Sequence, residues 1–191
     1  MNDLIALFES IFPINEDEKE LILASIKQES IEKNEVYCPE GKVCKRLGFV
    51  AEGIFKCVRI DNEGNEYIPY FIERGHFAVA LESFSNQVNS NESIQALTHS
   101  TVFTISRSVY NLFEERITNF SRIIATLKER ALIEKNNLKS ELINLSAEVR
   151  YEKLLMRQPD VIKYVSQKNI AQYLGITQYT LSRIRKSRVS G

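Results

Sequence analysis

The residues best suited to chemistry lie near the end of the chain, between Gln167 and Arg185. Seven small or apolar residues have the spacing of a helix-turn-helix: Ile170, Ala171, Leu174, Gly175, Ile176, Leu181 and Ile184. Gly175 suits the positive φ of the tight turn, and Thr177 is placed to cap the second helix. The polar positions behind that cap carry side chains able to contact base edges or phosphates: Gln178, Tyr179, Ser182, Arg183 and Lys186. The pattern predicts a DNA-reading helix, with an ordinary helical hairpin as the alternative.

The charge distribution favours the DNA interpretation. From residue 150 to residue 191 there are nine Lys or Arg against two acidic residues, although the whole chain is neutral. A basic segment attached to an acidic remainder is the electrostatic pattern of a nucleic-acid module joined to another unit. Ser166, Gln167 and Lys168, at the start of the first helix, are predicted to lie near phosphates. A solvated basic tail is the alternative for the short run from Arg183 to Arg188.

Residues for catalysis or metal binding are not evident. Cys38, Cys44 and Cys57 have neither zinc-site spacing nor the fourth thiolate that an iron–sulfur cluster normally needs. The two histidines, His76 and His99, have no neighbouring acid-and-His pair at ligand spacing. There is no Gly-rich phosphate loop, nucleophile elbow or pair of catalytic carboxylates. We therefore predict no catalytic residues, no metal site and no cofactor, and any effector is unknown.

The composition is that of a water-soluble protein with real cores. Of 191 residues, 43% are apolar, enough for one large domain or two modest ones. No stretch approaches the roughly 20 apolar residues that span a bilayer. The N-terminus has no basic region or cleavage site typical of a signal peptide, and reduced thiols suit the cytosol. These features predict a cytoplasmic protein.

The elements that position the basic segment change character along the chain. An amphipathic N-terminal helix and a second helix beginning at Asn15 are followed, from about residue 31 to 106, by short strand-like runs. Gly53, Gly64 and Gly75 recur every eleven residues, which is typical of a small antiparallel barrel or roll. Ser146 and Ser166 are predicted to cap two later helices.

A long helix is predicted over residues 108–145, since no Gly or Pro occurs from residue 109 to 158. Its apolar residues follow a spacing of three and four. Because such a helix is too long for a small domain to cover, we expect it to meet a second copy of the chain. The alternative is a helix packed against its own roll. The predicted interface residues are Ile117, Phe120, Ile123, Ile124, Leu127 and Ala131.

This order of elements resembles the Crp/Fnr family of bacterial transcription regulators. The run from Glu40 to Phe77 is similar to the cyclic-nucleotide-binding roll, and Gln167–Lys186 resembles the DNA-binding segment. The resemblance implies an α+β fold with three units: a β-roll sensor with N-terminal helices (1–107), a central dimerisation helix (108–145) and an all-α helix-turn-helix domain (146–191). It also implies a homodimer on a near-palindromic DNA site, with RNA polymerase as a further candidate partner.

The resemblance also implies a ligand pocket in the roll. Family members that bind cyclic AMP hold the ribose with a Glu after a Gly and the phosphate with an Arg in the next loop. Here His76 follows Gly75, and no Lys or Arg occurs between Arg74 and Arg107. Losing a charge-assisted pair costs about 2–5 kcal/mol, so we expect no cyclic AMP binding in the usual mode. The pocket residues implied are Phe71, Gly75, His76, Phe77, Ser90 and Asn91.

Two functions follow from these expectations. The first is a dimeric, sequence-specific transcription regulator whose roll senses an unknown ligand. The second is a small-molecule-binding or protein-interaction module whose helix-turn-helix no longer reads DNA. Tyr179 stands where better-known members often have Glu, so a different operator is expected. A β-hairpin wing, where the family has one, would begin at about Gly191.

Overall fold

The computed structural model describes the backbone of residues 1–189 and the side chains of residues 1–187; the predicted helix-turn-helix domain therefore extends two residues beyond the described part. Two N-terminal helices, α1 (Asn2–Glu9) and α2 (Glu16–Ser25), lead into a roll of short strands. The strands are β1 (Lys27–Ile31), β2 (Val36–Cys38), β3 (Arg46–Glu52), β4 (Phe55–Ile60), β5 (Glu66–Tyr67), β6 (Phe71–Ile72), β7 (Phe77–Ala78), β8 (Ser93–Ala96) and β9 (Ser100–Ser106). Helix α3 (Leu81–Asn86) lies between β7 and β8.

The roll consists of two antiparallel sheets that face each other. One has the order β1-β9-β3-β7, and the other β2-β8-β4-β5, with β6 also paired to β4. Apolar residues alternate along the strands and fill the space between the sheets with Phe49, Phe55, Ile94 and Ile105, each at most 1% exposed. The antiparallel roll predicted from the glycine spacing is confirmed.

Gly53, between β3 and β4, is required by its surroundings. Its φ is +99°, a backbone conformation that residues with a Cβ rarely adopt. A Cβ added there would lie 2.8 Å from the Cα of the fully buried Ser100. The tight turn and the close approach of the two backbones together explain why glycine stands at this position.

The long helix predicted over residues 108–145 is in fact two helices, α4 (Arg107–Arg116) and α5 (Phe120–Asn144). Ile117 has an extended conformation, with φ −103° and ψ 114°. The Thr118 amide donates to Glu18 Oε1 at 2.8 Å, while Glu18 Oε2 accepts from the Asn15 amide at 3.0 Å. The capping carboxylate of α2 therefore stabilises a break that contains neither Gly nor Pro.

The remaining helices are α6 (Ala147–Arg157), α7 (Pro159–Tyr164), α8 (Gln167–Leu174) and α9 (Gln178–Val189). They share a core that includes Tyr151, Leu154, Val161 and Leu181. That core continues into the roll, where it includes Ile54, Ile68, Phe71 and Leu97. The helical unit is therefore docked on the roll of its own chain. Among residues 1–189, no helix is both long and apolar enough to span a membrane.

Candidate nucleic-acid interface and roll cavity

The α8–turn–α9 segment has the local geometry that the sequence predicts. The side chain of Ser166 caps α8 by accepting from the Asn169 amide at 3.3 Å. Gly175 ends α8 with a left-handed φ of +62°. Thr177 Oγ1 accepts from the Thr180 amide at 3.1 Å and so caps α9. Ile170, Ala171, Leu174, Leu181 and Ile184 are all buried between the helices.

The polar residues predicted to contact DNA have accessible side chains. Tyr179 is 73% exposed, and Ser182 is half-buried. The other seven are exposed: Ser166, Gln167, Lys168, Thr177, Gln178, Arg183 and Lys186. On α9, Gln178, Ser182 and Lys186 are four residues apart, and Tyr179 and Arg183 share the same spacing, so the helix presents them along one side.

Lys56 of the roll also joins this basic surface, which the sequence pattern did not predict. Its Nζ donates to Asn169 Oδ1 in α8 at 3.3 Å. Burial lowers the pKa of Lys56, and the like charge of Lys168 lowers it further, against the opposing effect of Glu66. Strand β4 therefore adds a positive charge beside the N-terminal end of α8.

Several contacts fix the helical unit relative to α5 and the roll. The ring centres of Phe71 in β6 and Tyr173 in α8 lie 5.1 Å apart. Glu141 near the end of α5 pairs with Lys153 at 3.0 Å and with Arg157 at 3.2 Å. Arg150 spans the junction by donating to the carbonyls of both Leu142 and Leu174. These contacts place α8 and α9 in one orientation.

The six residues predicted for the ligand pocket lie in two adjoining cavities rather than one. Phe71, Gly75, His76 and Phe77 line a mostly apolar cavity of about 280 Å³ between the roll and α5. Ser90 and Asn91 line a second cavity of about 300 Å³, called the polar cavity because polar residues such as Arg59, Ser83 and Glu92 also line it. The two share lining residues from α3 and α5: Leu81, Lys128, Ala131 and Lys135.

The polar cavity contains a carboxylate, Glu92, that the sequence pattern did not predict. Glu92, 4% exposed, pairs with Arg59, whose Nη2 and Nε lie 2.8 Å and 2.9 Å from Glu92 Oε2. The Cys57 thiol donates to the same oxygen at 3.3 Å, and the Tyr70 hydroxyl donates to Oε1 at 3.5 Å. Burial, reinforced by the negative charge of Glu92, raises the pKa of Cys57 to about 12, so the thiol stays protonated as a donor. The sequence feature that could have identified Glu92 is an acidic residue in a loop without Lys or Arg.

The residues predicted for the dimer interface fall into two groups. Ile117, Phe120 and Ile123 are at most 3% exposed and belong to the core of their own chain, where Phe120 contacts Phe8, Tyr110 and Phe113. Their assignment to an interface is therefore wrong, because they offer no surface to a second chain. Ile124, Leu127 and Ala131 are half-buried and line the apolar cavity. The large apolar residues that α5 exposes are Leu132, Ile133, Leu142 and Ile143.

Groups able to bind a metal ion are not found among residues 1–189: no cluster of three His, Cys, Asp or Glu side chains has the necessary arrangement. Cys38, Cys44 and Cys57 are buried free thiols. His76 Nε2 lies 4.0 Å from Glu134, and His99 bonds to Ser30, so the two histidines occupy separate places.

Comparisons with known proteins agree with this architecture. Residues 28–116 match the profile of the cyclic nucleotide-binding domain family. No curated protein sequence matches the chain.

Solved structures share the fold over almost the whole chain. FixK2 from Bradyrhizobium japonicum superposes with a TM-score of 0.74 at 17% identity, over 86% of this chain and 85% of that one. The c-di-GMP-responsive global regulator CLP from Xanthomonas campestris gives 0.70 at 16% identity, over 92% of each chain. A transcriptional regulator of the Crp/Fnr family from Eubacterium rectale gives 0.70 at 17% identity, over 95% of this chain and 89% of that one. The predicted resemblance and fold class are confirmed.

Proposed function

We propose that this chain, which has the fold of the Crp/Fnr transcription regulators, is a dimeric DNA-binding regulator with a roll that does not bind cyclic AMP in the usual way. The observation that carries the proposal is the α8–turn–α9 segment. Five of its apolar residues are buried and Ile176 is half-buried, while Gln178, Tyr179 and Arg183 remain exposed on one helix. A surface helix bearing an arginine and an amide side chain is suited to the major groove.

The contacts to DNA divide into two groups. Gln178, Tyr179 and Arg183 are proposed to read base edges, with Arg183 bidentate to a guanine. Ser166 and Lys168, at the N-terminus of α8, are proposed to bind phosphates together with Lys56 of β4. A helix N-terminus and two ammonium groups favour an anion by charge. The roll would then contribute directly to DNA affinity.

A dimer is needed because one recognition helix covers only a half-site. We propose that α5 supplies the interface through its exposed face, whose central residues Leu132 and Ile133 are 60% and 53% exposed. Ile143 extends the same side toward the helical unit and is 70% exposed. Burying one such side chain contributes about 1.5–3 kcal/mol, and a two-fold axis counts each residue twice.

Glu92 supplies the physical reason against the usual cyclic AMP mode. Arg59 lines the polar cavity, and its guanidinium is already engaged by the Glu92 carboxylate. A cyclic phosphate entering there would meet a buried negative charge of its own sign. Like charges that are shielded from water repel strongly, so the phosphate would be excluded.

The test is selection of a binding site from random duplex DNA, followed by titration of the selected site at two salt concentrations. We expect affinity to fall steeply with salt, because Lys and Arg release counterions from the phosphates. Arg183→Ala should weaken the selected site by about 1–3 kcal/mol and relax its sequence preference. The matched control is Arg116→Ala, an exposed arginine on α4.

If a sequence is enriched but the Arg183 and Arg116 variants behave alike, Arg183 is not one of the residues that read bases. If no sequence is enriched, the regulator proposal fails. The chain would then be a ligand-binding or protein-interaction module whose helix-turn-helix does not read DNA. Weak binding with steep salt dependence but no enriched sequence would likewise count against sequence-specific regulation.

A further inference from the structure

The apolar cavity lies where three parts of the molecule meet. The roll contributes Phe77 and Val79, and α5 contributes Leu127, Ala131 and Leu138. The end of α6, in the helical unit, contributes Arg157 and Gln158. A molecule in this cavity would therefore touch the roll, the central helix and the DNA-binding unit at once.

Positive charge gathers at one wall of the cavity. Lys128, Arg130 and Lys135 all line it from α5, and within the described part of the chain none of them forms an ion pair with an acidic side chain. The Lys135 ammonium donates to the Tyr70 hydroxyl at 3.1 Å and lies 4.3 Å from the centre of its ring. Glu134, the acid on this wall, faces His76 instead.

Lys128 and Lys135 also border the polar cavity, so they stand at the boundary between the apolar space and the Glu92 network. Beyond that boundary an anionic group would approach Glu92, which repels it. On the apolar side the walls are aromatic rings and aliphatic side chains, which favour hydrocarbon. The arrangement therefore selects a molecule with one apolar body and one negative group at its end.

We propose that this cavity binds a small amphipathic monocarboxylate. Its hydrocarbon part would lie against Phe77, Leu127 and Ala131, and its carboxylate would pair with Lys128 and Lys135. A volume of about 280 Å³ is at the lower end of ligand pockets, which limits the body to a short chain or a single ring. Because Gln158 lines the same space, the ligand would also stabilise the docked helical unit; its effect on DNA affinity rests on the proposed function.

The test uses the full chain and three eight-carbon probes in calorimetric titrations: octanoate, 1-octanol and octylammonium. The probes share one apolar body, so differences between them report the charge. We expect octanoate to bind at least tenfold more tightly than 1-octanol, and octylammonium to bind most weakly. Replacing both lysines by alanine, Lys128→Ala with Lys135→Ala, should remove the difference between octanoate and 1-octanol.

Two further variants separate the site from general effects. Ala131→Trp fills the cavity and should abolish binding of all three probes while circular dichroism shows a folded chain. Lys139→Ala removes an exposed charge of α5 outside the cavity and should leave the tenfold difference unchanged. The lysine variants keep the test decisive if the tryptophan variant does not fold.

Equal affinity for octanoate and 1-octanol, tighter binding of octylammonium, or no binding of any probe would each overturn the proposal. So would octanoate that converts dimers to monomers, since a second copy of the chain would then be the natural occupant. A separate titration of the selected DNA distinguishes the two proposals. Octanoate binding with no sequence-specific DNA binding would refute the regulator and leave the carboxylate site standing.

Discussion

Removing Arg59 tests whether Glu92 is held as a buried, compensated charge. In Arg59→Ala the carboxylate keeps the Tyr70 and Cys57 hydrogen bonds but loses both guanidinium contacts, at 2.8 Å and 2.9 Å. Removing one partner of a fully buried ion pair costs about 3–5 kcal/mol. The Glu92 side chain is 5% exposed but that of Arg59 is 40% exposed, so water can partly replace the guanidinium. We therefore expect a loss of about 2–3 kcal/mol in the free energy of unfolding.

Urea denaturation followed by the near-ultraviolet circular dichroism of tyrosine is the suitable assay, since the chain has eight Tyr and no Trp. With an m-value of about 2 kcal/mol/M, the midpoint should fall by about 1–1.5 M. In a Glu92→Gln background the same Arg59→Ala change should cost less than about 1 kcal/mol, because no buried charge is left unpaired. Arg116→Ala serves as the exposed control.

A shift for Arg59→Ala within about 0.5 kcal/mol of the control would refute the reasoning, since surface changes produce shifts of that size. Strict additivity with Glu92→Gln would refute it as well. Either result would mean that the Glu92 carboxylate is compensated elsewhere, and Glu92 would then give no reason to exclude cyclic AMP.

Three further predictions concern the fold and the assembly. Gly53→Ala should lower the free energy of unfolding by about 1–3 kcal/mol, because the φ of residue 53 is +99° and the added Cβ would meet the Ser100 backbone. Thermal unfolding measures this, and an unchanged stability would contradict it. The double variant Leu132→Glu with Ile133→Glu should be monomeric in light scattering, whereas the control Leu23→Glu should remain dimeric. A double variant that remains dimeric would mean that the interface lies elsewhere. Burial raises the pKa of Glu73 in the folded chain above its usual value of 4.5. The contribution of Glu73 to the free energy of unfolding is therefore complete below pH 4.5 and is lost as the pH rises through the pKa of the folded state. Glu73→Gln should flatten that part of the stability profile, and an unchanged profile would exclude Glu73 as its source.

Local features of the fold could be predicted from the sequence because their causes are local. Asn15, Ser146, Ser166 and Thr177 each cap a helix through an amide three residues ahead, and Gly175 ends α8 through its own backbone conformation. Such contacts depend on neighbours in sequence, so residue type and spacing identify them.

The break between α4 and α5 could not be predicted in this way. It depends on a hydrogen bond between Thr118 and Glu18, which are a hundred positions apart. Helical periodicity likewise indicates that α5 has apolar positions, but not what covers each one. Phe120 and Ile123 meet the chain's own core, whereas Leu132 and Ile133, farther along the same helix, remain exposed.

The candidate site was only partly accessible from sequence for a related reason. The DNA-binding residues lie within one short segment, whereas Lys56 reaches α8 only because the helical unit docks on the roll. That docking contains buried apolar residues of both units, including Phe71 from the roll and Leu174 from α8. A shared core of this kind resists independent movement of the two units, since separating them would expose apolar surface to water. A change in the cavity beneath Gln158 would therefore be transmitted to α9 through packed side chains rather than through a flexible connection.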